Sequence, residues 1–407
     1  VIFIVSILIA AIVRLFLLYA LTRLSFATGA DISVDIYRRT LYQNYSIHMS
    51  RNTSEIINSI ITKTNTVIRS ILVPLLNFIS SIVIMIGIVS MIFIINAKVA
   101  LITFSMFAFF YWIITFYTKK SLHKNGQLIA NESTQMVKFL QEGLGGIRDV
   151  LIDGTQEFYC RLYQKADLSL RRASGDNAFI GASPRYLMEA IGMILIAILA
   201  YFLTLQEGGI AVAIPVLGVL AMGAQKLLPV LQQAYGSYSS IKGSESSFID
   251  VLDLLGQPLP QKAGQDLLNL MSFEKKIVFK DLSFRYTKDT PWILKNVNLS
   301  FKKGEKIGFI GVTGSGKSTL LDILMGLLTP TSGELLIDGV AITQENRGAW
   351  QAHISHVPQS IYLSDSTIQE NIAFGVELGQ IKECKVVRAA QQAQISEMIH
   401  NLKNKYK

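Results

Sequence analysis

The sequence is poor in cysteine and in charged residues. Its 407 residues include two cysteines, Cys160 and Cys384, which excludes a disulfide scaffold and a zinc cluster built on cysteine. Only 16% of the residues are charged, where a soluble domain carries roughly 25%, and 50% are hydrophobic. This composition excludes a disordered chain and disfavours one soluble globule. The length favours two or three domains.

The positive charge is modest and slightly uneven. The formal net charge is +9, with 20 basic and 14 acidic residues in 1–250 and 18 and 15 in 251–407. Neither half is basic enough to indicate a nucleic-acid partner. The excess in the first half is typical of a membrane protein with basic cytoplasmic loops.

Long apolar runs occupy the first 250 residues. A helix needs about 20 mostly apolar residues to cross a bilayer. Five stretches qualify, so the sequence predicts a transmembrane domain over 1–241 with spans at about 1–22, 71–95, 99–118, 186–205 and 210–234. The alternative is a set of buried helices in a soluble core. Uncharged runs of 25 and 20 residues in the second and third stretches argue against it.

Basic residues concentrate in two of the four connections between the spans. The connection after the first span carries six Lys or Arg residues and the one after the third carries ten, so both are predicted to be cytoplasmic. Residues 56–66 and 131–141 lack Gly and Pro, which favours membrane helices that continue into the cytoplasm. Short helices are expected at the tips, near His48–Glu55 and Gly146–Gly154. The alternative is two soluble insertions.

Three charged residues fall inside predicted spans, where a charge costs about 2.5–3.5 kcal/mol on insertion scales. One interpretation is that Arg14 and Lys226 line a central cavity and meet an anionic substrate. The other is that Glu189 pairs with Arg14 or Arg185 while Lys226 reaches the cytoplasmic face.

The pattern changes from residue 276 onward. Short apolar runs at 277–279, 299–301 and 306–310 alternate with polar breaks, as strands do. The third run leads into the phosphate-loop motif G-x-x-x-x-G-K-S at Gly311–Thr319, and the helical run 320–328 follows. A strand before this motif and a helix after it indicate a nucleotide site for ATP and Mg²⁺.

The spacing of the motif suits phosphate binding. Glycines let the backbone bend so that successive N–H groups face one anion, and the helix start adds its positive dipole end. Lys317 should reach the β- and γ-phosphates, Ser318 should ligate Mg²⁺, and Thr319 is an additional phosphate contact. The predicted nucleotide-binding residues of the loop are Gly311, Thr313, Gly314, Ser315, Gly316, Lys317, Ser318 and Thr319.

Further stretches surround the loop: Phe284-Arg285-Tyr286 upstream, and His356-Val357-Pro358-Gln359 and Ser366–Ile372 downstream. With them, nearly the whole chain resembles the ATP-binding cassette exporters. The resemblance implies that Tyr286 stacks on adenine. It also implies a catalytic and Mg²⁺-binding role for Gln359, close to the contact with the membrane domain. A second half-transporter subunit and membrane lipids are the implied partners, in the plasma (inner) membrane with the cassette in the cytoplasm.

The sequence also departs from that family. The signature Leu-Ser-Gly-Gly-Gln, the acidic strand ending in Asp-Glu and the switch histidine do not follow Lys317. The run 335–338 superficially resembles the acidic strand, but Gly339 stands where the catalytic Glu belongs, and the position fits an early surface strand better. Because the chain also starts with Val1 inside an apolar run, truncation at both ends is expected, and this fragment is not expected to hydrolyse ATP well alone.

Within the exporters, residues 142–154 and 184–189 are similar to lipid-linked oligosaccharide flippases. That likeness implies a lipid-linked glycan, an anionic substrate for which a basic cavity makes sense.

The predicted fold is an α-helical transmembrane bundle with long cytoplasmic helical extensions, followed by a P-loop α/β nucleotide-binding domain. A linker at 242–265 precedes a partial cassette at 266–407. The predicted function is ATP-driven export or flipping by a dimer of half-transporters. The alternatives are a membrane-anchored P-loop kinase or signalling ATPase, whose spans would serve only as an anchor, and a non-catalytic nucleotide-binding regulator.

Overall fold

The computed structural model describes residues 2–95, 97–204, 209–260, 271–359 and 361–406. Its first part is entirely helical, and each of the five predicted spans lies along a helix, apart from Val1 and Leu205, which lie outside the described residues. The long helices are α1 (Ile2–Leu41), α5 (Val73–Ile95), α6 (Ala97–Gly145), α8 (Gln156–Ala182), α9 (Pro184–Thr204) and α10 (Gly209–Gly243). The short helices between and after them are α2 (Tyr45–Ser50), α3 (Thr53–Asn58), α4 (Thr64–Val67), α7 (Ile147–Ile152) and α11 (Glu245–Leu255).

Several helices are longer than a bilayer requires. At 1.5 Å per residue, the 49 residues of α6 extend roughly 74 Å, whereas the hydrocarbon core is about 30 Å thick. Within the described residues, three helical stretches are long and apolar enough to cross a membrane: Ile4–Leu41, Thr53–Ile94 and Gln156–Ile198. The helical extensions expected from the sequence are therefore present.

Short helices stand at both predicted tips. The helix α2 and the start of α3 occupy His48–Glu55, and α7 occupies most of Gly146–Gly154. Two π-helical turns, Ser59–Lys63 and Ile68–Leu72, flank α4 on the way back to the membrane.

The helices of the bundle pack through small cores. Phe107, Met188 and Leu227 are buried where α6, α9 and α10 meet. A second core, at the cytoplasmic side of α1, α4 and α11, contains Ile36, Val67, Ile71, Val251 and Leu254.

A close backbone approach and an ion pair also join elements of the bundle. A Cβ on Gly126 would lie 2.6 Å from the Gly243 carbonyl oxygen, so glycine permits the close approach of α6 and α10. Lys63, whose side chain is 6% exposed, pairs with Asp250 at 2.6 Å and ties the π-helical segment to α11. The predicted linker 242–265 is thus helical over 245–255, and 261–265 lies outside the described residues.

The described part of the cassette is built on one antiparallel sheet. Its strand order is β2-β1-β3-β4, where β1 is Lys276–Phe284, β2 is Leu294–Lys302, β3 is Ser332–Ile337 and β4 is Val340–Ala341. The helices are α12 (Lys317–Leu324), α13 (Arg347–Gln351), α14 (Ile368–Ile372), α15 (Glu383–Gln392) and α16 (Ser396–His400). Phe279, Leu282, Ile323 and Ile337 are buried between the sheet and α12, with Trp350 closing the core.

The strand predicted at 306–310 is not formed, which corrects one expectation from the sequence. A strand requires a hydrogen-bonded neighbour, and no described segment pairs with this run. The side chain of Ile310 is fully exposed and that of Ile307 is 44% exposed. Burial matches the apolar pattern at Phe309, which packs on the core beside Phe301, but not at Ile307 or Ile310.

The surface strand expected at 335–337 is confirmed. It belongs to β3, which pairs antiparallel with β1. Asp338 follows at a φ of 49°, and its carboxylate accepts hydrogen bonds from the backbone N–H groups of Glu274, Lys275 and Lys276. These bonds hold the start of β1 and lower the pKa of Asp338. Asp338 thus has a structural role.

Candidate nucleotide-binding site

The phosphate loop leads directly into α12. Gly314 and Gly316 have φ values of 84° and 86°, which residues with a side chain rarely adopt. A Cβ on Gly316 would also lie 2.9 Å from Leu294 Cδ2. Glycine is therefore required there both for the backbone turn and for the space.

Lys317 is the first residue of α12, and its ammonium lies over the loop. Its Nζ donates hydrogen bonds to the carbonyl oxygens of Gly311 and Val312, both at 2.8 Å, and approaches Ser315 Oγ at 3.4 Å. The lysine, the helix N-terminus and the glycine turn together concentrate positive potential at one place. These residues fit the phosphates of a nucleotide.

Tyr286 reaches the same helix from the end of β1. Its hydroxyl lies 3.1 Å from Thr319 Oγ1, and its ring meets Phe284 edge-on at 5.1 Å between centroids. The Tyr286 side chain remains 43% exposed, so one face is free to stack on a planar ligand. The bond with Thr319 was not predicted from the sequence, where Thr319 was expected only to contact phosphate.

The residues predicted to bind the metal are accessible. Ser318 and Gln359 are both exposed, as is Thr313. Among the described residues, no group of three His, Cys, Asp or Glu side chains could hold a metal ion. A magnesium ion here would depend on the Ser318 hydroxyl, the Gln359 side chain and phosphate oxygens, which matches the ligand set that Mg²⁺ commonly takes beside a nucleotide.

One carboxyl group of α12 has a shifted pKa. Burial raises the pKa of Asp322, in the second turn of α12, while His356, three residues before Gln359, opposes that rise.

The cytoplasmic tip at α2 contacts the cassette. Asn44 stands at the N-cap of α2, but its side chain does not cap that helix, and its Oδ1 accepts a hydrogen bond of 2.7 Å from Arg347 Nη1. A cavity of about 570 Å³ lies beside this bond, lined by Met49 and Ser50 from the tip and by Tyr286 from the cassette. The tip thus lies on the Tyr286 side of the cassette.

The charged residues of the spans are not brought together. Arg14 and Lys226 are both exposed on the helical bundle. Glu189 pairs with Arg185, at 2.9 Å, one turn away on α9. Of the two pairings suggested for Glu189, the structure shows the one with Arg185. A cavity role for Arg14 and Lys226 stays a prediction.

Two family models match the chain. The ABC transporter transmembrane region matches residues 1–214, and the ABC transporter domain matches residues 294–407. The described phosphate loop and the contact between Asn44 and Arg347 fall within these two regions.

Curated relatives show the same combination. The glutathione/L-cysteine transport system ATP-binding/permease protein CydC of Bacillus subtilis (strain 168) is 29% identical over 242 residues, which cover 59% of this chain and 40% of that protein. The ATP-dependent lipid A-core flippase of Paraburkholderia xenovorans (strain LB400) is 22% identical over 362 residues, covering 86% of this chain and 59% of that protein. The chain thus spans about half the length of these relatives.

A solved structure has the same fold. The structure of a bacterial Atm1-family ABC exporter with ATP bound superposes with a TM-score of 0.78 at 19% identity, covering 94% of this chain and 67% of that one. The chain therefore belongs to the ABC transporters, as a multi-pass membrane protein with its nucleotide-binding domain on the cytoplasmic side.

Proposed function

We propose that this chain belongs to an ATP-driven exporter or flippase that works with a second half-transporter subunit. The observation that carries the proposal is the phosphate loop, where Lys317, two left-handed glycines and the start of α12 converge beside Tyr286. This site is hydrogen-bonded, through Arg347 and Asn44, to a domain of long apolar helices.

Each residue of the site has a distinct task. The backbone N–H groups of the loop bind phosphate oxygens, and Lys317 exchanges its two carbonyl partners for the β- and γ-phosphates. Ser318 and Gln359 hold Mg²⁺, and Tyr286 stacks on the adenine. Hydrolysis of ATP, when bound with Mg²⁺, supplies the free energy for transport.

The tip at α2 connects nucleotide binding to the membrane domain. It lies against Tyr286 and Arg347, so a change in the position of the cassette displaces Asn44 and with it the end of α1. Charge-assisted bonds such as that between Arg347 and Asn44 are geometrically specific, which suits the transmission of a movement.

The second tip supports a role for another subunit. Leu144, Leu151 and Ile152 at the end of α6 and along α7 are 60% exposed or more, and no hydrogen bond or ion pair joins α7 to the described part of the cassette. An apolar helix end projecting into water is typical of a surface that packs on a partner. In this proposal α7 docks on the cassette of the second half-transporter.

The proposed substrate is a lipid-linked molecule. The likeness to a protein named lipid A-core flippase supports this class, as do the exposed apolar helices that contact membrane lipids. If the substrate carries a phosphate or another anion, Arg14 and Lys226 are the cations proposed to meet it.

Nucleotide binding tests the central claim. The whole chain, reconstituted in lipid nanodiscs, is titrated with a fluorescent ATP analogue in the presence and absence of Mg²⁺. Lys317→Ala should lose most of the affinity. Lys280→Ala, which removes an exposed lysine from β1 of the same sheet, serves as the matched control and should bind like the wild type. Equal affinity of the wild type and Lys317→Ala would remove the nucleotide assignment.

A further inference from the structure

A second cavity lies within the helical bundle, away from the nucleotide site. It measures about 500 Å³, which is within the usual size range of small-molecule sites. Its walls come from residues 66–70, residue 129, residues 174–182 and residues 236–247. Each of these segments lies just on the cytoplasmic side of a predicted span, so the cavity sits where the lipid headgroups of the inner leaflet meet the protein.

The lining of this cavity is rich in hydroxyl groups and carries no formal charge. Thr66, Ser70, Ser174, Asn177, Ser239 and Ser247 are among its side chains, and the remaining lining residues are small or apolar except for two further serines. The nearest charged groups on α10 and α11, Lys242 and Glu245, pair with each other at 2.6 Å.

Several hydroxyls of the bundle are satisfied by their own helix, and one of them, Thr66, lines this cavity and donates to the Thr62 carbonyl oxygen at 3.0 Å. Ser25, Ser81 and Thr118 each donate a hydrogen bond of 2.8 Å to the carbonyl oxygen four residues earlier. This back-bonding is the ordinary way in which a helix accommodates a buried hydroxyl.

Two serines of the cavity have no such bond, whereas Ser240 donates to the Ser70 carbonyl oxygen at 3.0 Å. Ser239 and Ser247 are 4% and 5% exposed, and neither hydroxyl has a hydrogen-bond partner within the part of the chain that the structure describes. The Ser239 hydroxyl faces Gly181, where an added Cβ would lie 3.4 Å from its oxygen. Neither hydroxyl oxygen is among the fully enclosed polar atoms without a partner, so both remain open to a molecule that enters the cavity.

We propose that this cavity binds an uncharged, polyhydroxylated headgroup, such as a sugar ring, whose lipid chain remains in the inner leaflet. Serine and threonine hydroxyls rotate and both donate and accept, and sugar hydroxyls have the same two capabilities. An ionised phosphate or carboxylate would lose its hydration without gaining an opposite charge, so the lining selects against it. This inference rests on the proposed transport function and names the headgroup class.

Two matched probes separate the headgroup classes. Octyl β-D-glucoside and octyl β-D-glucuronide have the same chain and ring. The glucoside carries a hydroxymethyl group where the glucuronide carries a carboxylate. Binding of each to the nanodisc-reconstituted chain is measured by equilibrium dialysis below its micellar concentration, with empty nanodiscs subtracted. The glucoside should bind at least tenfold more tightly than the glucuronide. Equal or reversed affinities would overturn the proposal.

Variants locate the binding within the cavity. Gly236 and Gly218 are both on α10, and a Cβ at either position has no other atom within 4 Å, so each accepts a larger residue without a clash. Gly236 lines the cavity and Gly218 does not. Gly236→Leu should abolish glucoside binding, whereas Gly218→Leu should leave it unchanged. Unchanged binding by Gly236→Leu would overturn the site.

A smaller change tests the hydroxyl itself. Ser239→Ala should weaken glucoside binding several-fold, while Ser237→Ala, on the same helix and 6% exposed but outside the lining, should not. The fluorescent ATP analogue is titrated into the same nanodiscs. In the wild type, absence of glucoside binding together with intact nucleotide binding would reject the headgroup site alone. Absence of nucleotide binding in the wild type would instead count against the proposed transporter function.

Discussion

The Tyr286 hydroxyl and Thr319 Oγ1 lie 3.1 Å apart, so the aromatic residue at the end of β1 is joined to the first turn of α12. The bond fixes the ring in the orientation in which it would stack on a base. It also gives the buried Thr319 hydroxyl a partner in the protein, one residue after Ser318, the residue proposed to bind Mg²⁺.

Removing either partner of this bond should weaken nucleotide binding moderately. Tyr286→Phe and Thr319→Val should each cost about 0.5–1.5 kcal/mol of binding free energy, and the double variant should cost little more than either one. Tyr286→Ala also loses the stacking surface and should cost about 1–3 kcal/mol. Titration with the fluorescent ATP analogue measures all four. Additive losses for the two single changes would show that the bond does not position the ring.

Gly316 should tolerate alanine less well than Gly304 does. The two glycines have nearly the same φ, 86° and 87°, but only Gly316 has a neighbour, Leu294 Cδ2, in the way of a Cβ. Gly304→Ala should lower stability by about 1–2 kcal/mol through backbone strain alone. Gly316→Ala should in addition lose nucleotide binding, because the loop must shift. Similar nucleotide affinities for the two variants would contradict this explanation.

The bond between Arg347 and Asn44 should hold the α2 tip on the cassette. Arg347→Ala should increase the rate of amide hydrogen exchange in residues 45–50, measured by mass spectrometry, because a charge-assisted bond of about 1.5–3 kcal/mol is lost. Arg388→Ala, an exposed arginine on α15, is the control and should leave that rate unchanged. Asn44→Asp should slow the exchange by converting the bond into an ion pair. An unaltered rate in Arg347→Ala would mean that other contacts hold the tip.

Asp338 should make the stability of the cassette depend on acid pH. Backbone N–H groups lower its pKa in the folded state below the ordinary value of 3.8. The unfolded chain then binds the proton more tightly, so the stabilisation is complete above pH 3.8 and declines as the pH falls through the lowered folded value. The melting temperature of the wild type should exceed that of Asp338→Asn at neutral pH, and the difference should shrink on acidification. If the difference in melting temperature instead grew below pH 3.8, the pKa of Asp338 would be raised on folding, and the prediction would be wrong.

Mutations of the two residues of the Lys63–Asp250 pair should lower the stability of the chain by different amounts. Asp250→Ala leaves the buried Lys63 without a partner, and should destabilise the chain by ~1–3 kcal/mol because Asp250 itself is 40% exposed. Lys63→Met removes the buried charge and keeps the volume, so it should cost less. The measurement is thermal unfolding of the chain in detergent, and equal losses would show that burial of the lysine is unimportant.

Local patterns identified the phosphate loop because its glycines, lysine and helix start are contiguous. The same reasoning placed a strand at 306–310, where the apolar alternation is correct but no described neighbour provides hydrogen bonds. Pairing is a property of two segments, so one segment cannot specify it.

Contacts between residues far apart in the chain could not be predicted from the sequence. Asn44 and Arg347 are separated by 303 positions, and an asparagine before a short helix more often caps that helix. The hydroxyl-lined cavity likewise depends on several helices meeting, among them α6, α8, α10 and α11. Each serine alone resembles those that bond to their own backbone, and only the packing shows that Ser239 and Ser247 do not.

The length of α6 converts a small rotation of the helix into a large displacement of its ends. An uninterrupted rod of roughly 74 Å that pivots by about 10° at its middle moves each end by roughly 6 Å. A small rotation at the membrane therefore becomes a displacement at Gly145 larger than one helical turn. If the helix moves as a rigid rod, a displacement at its cytoplasmic end is transmitted equally to its other end. In the proposed transporter, a cassette docked on α7 would therefore move the far end of the bundle without any change in the helix itself.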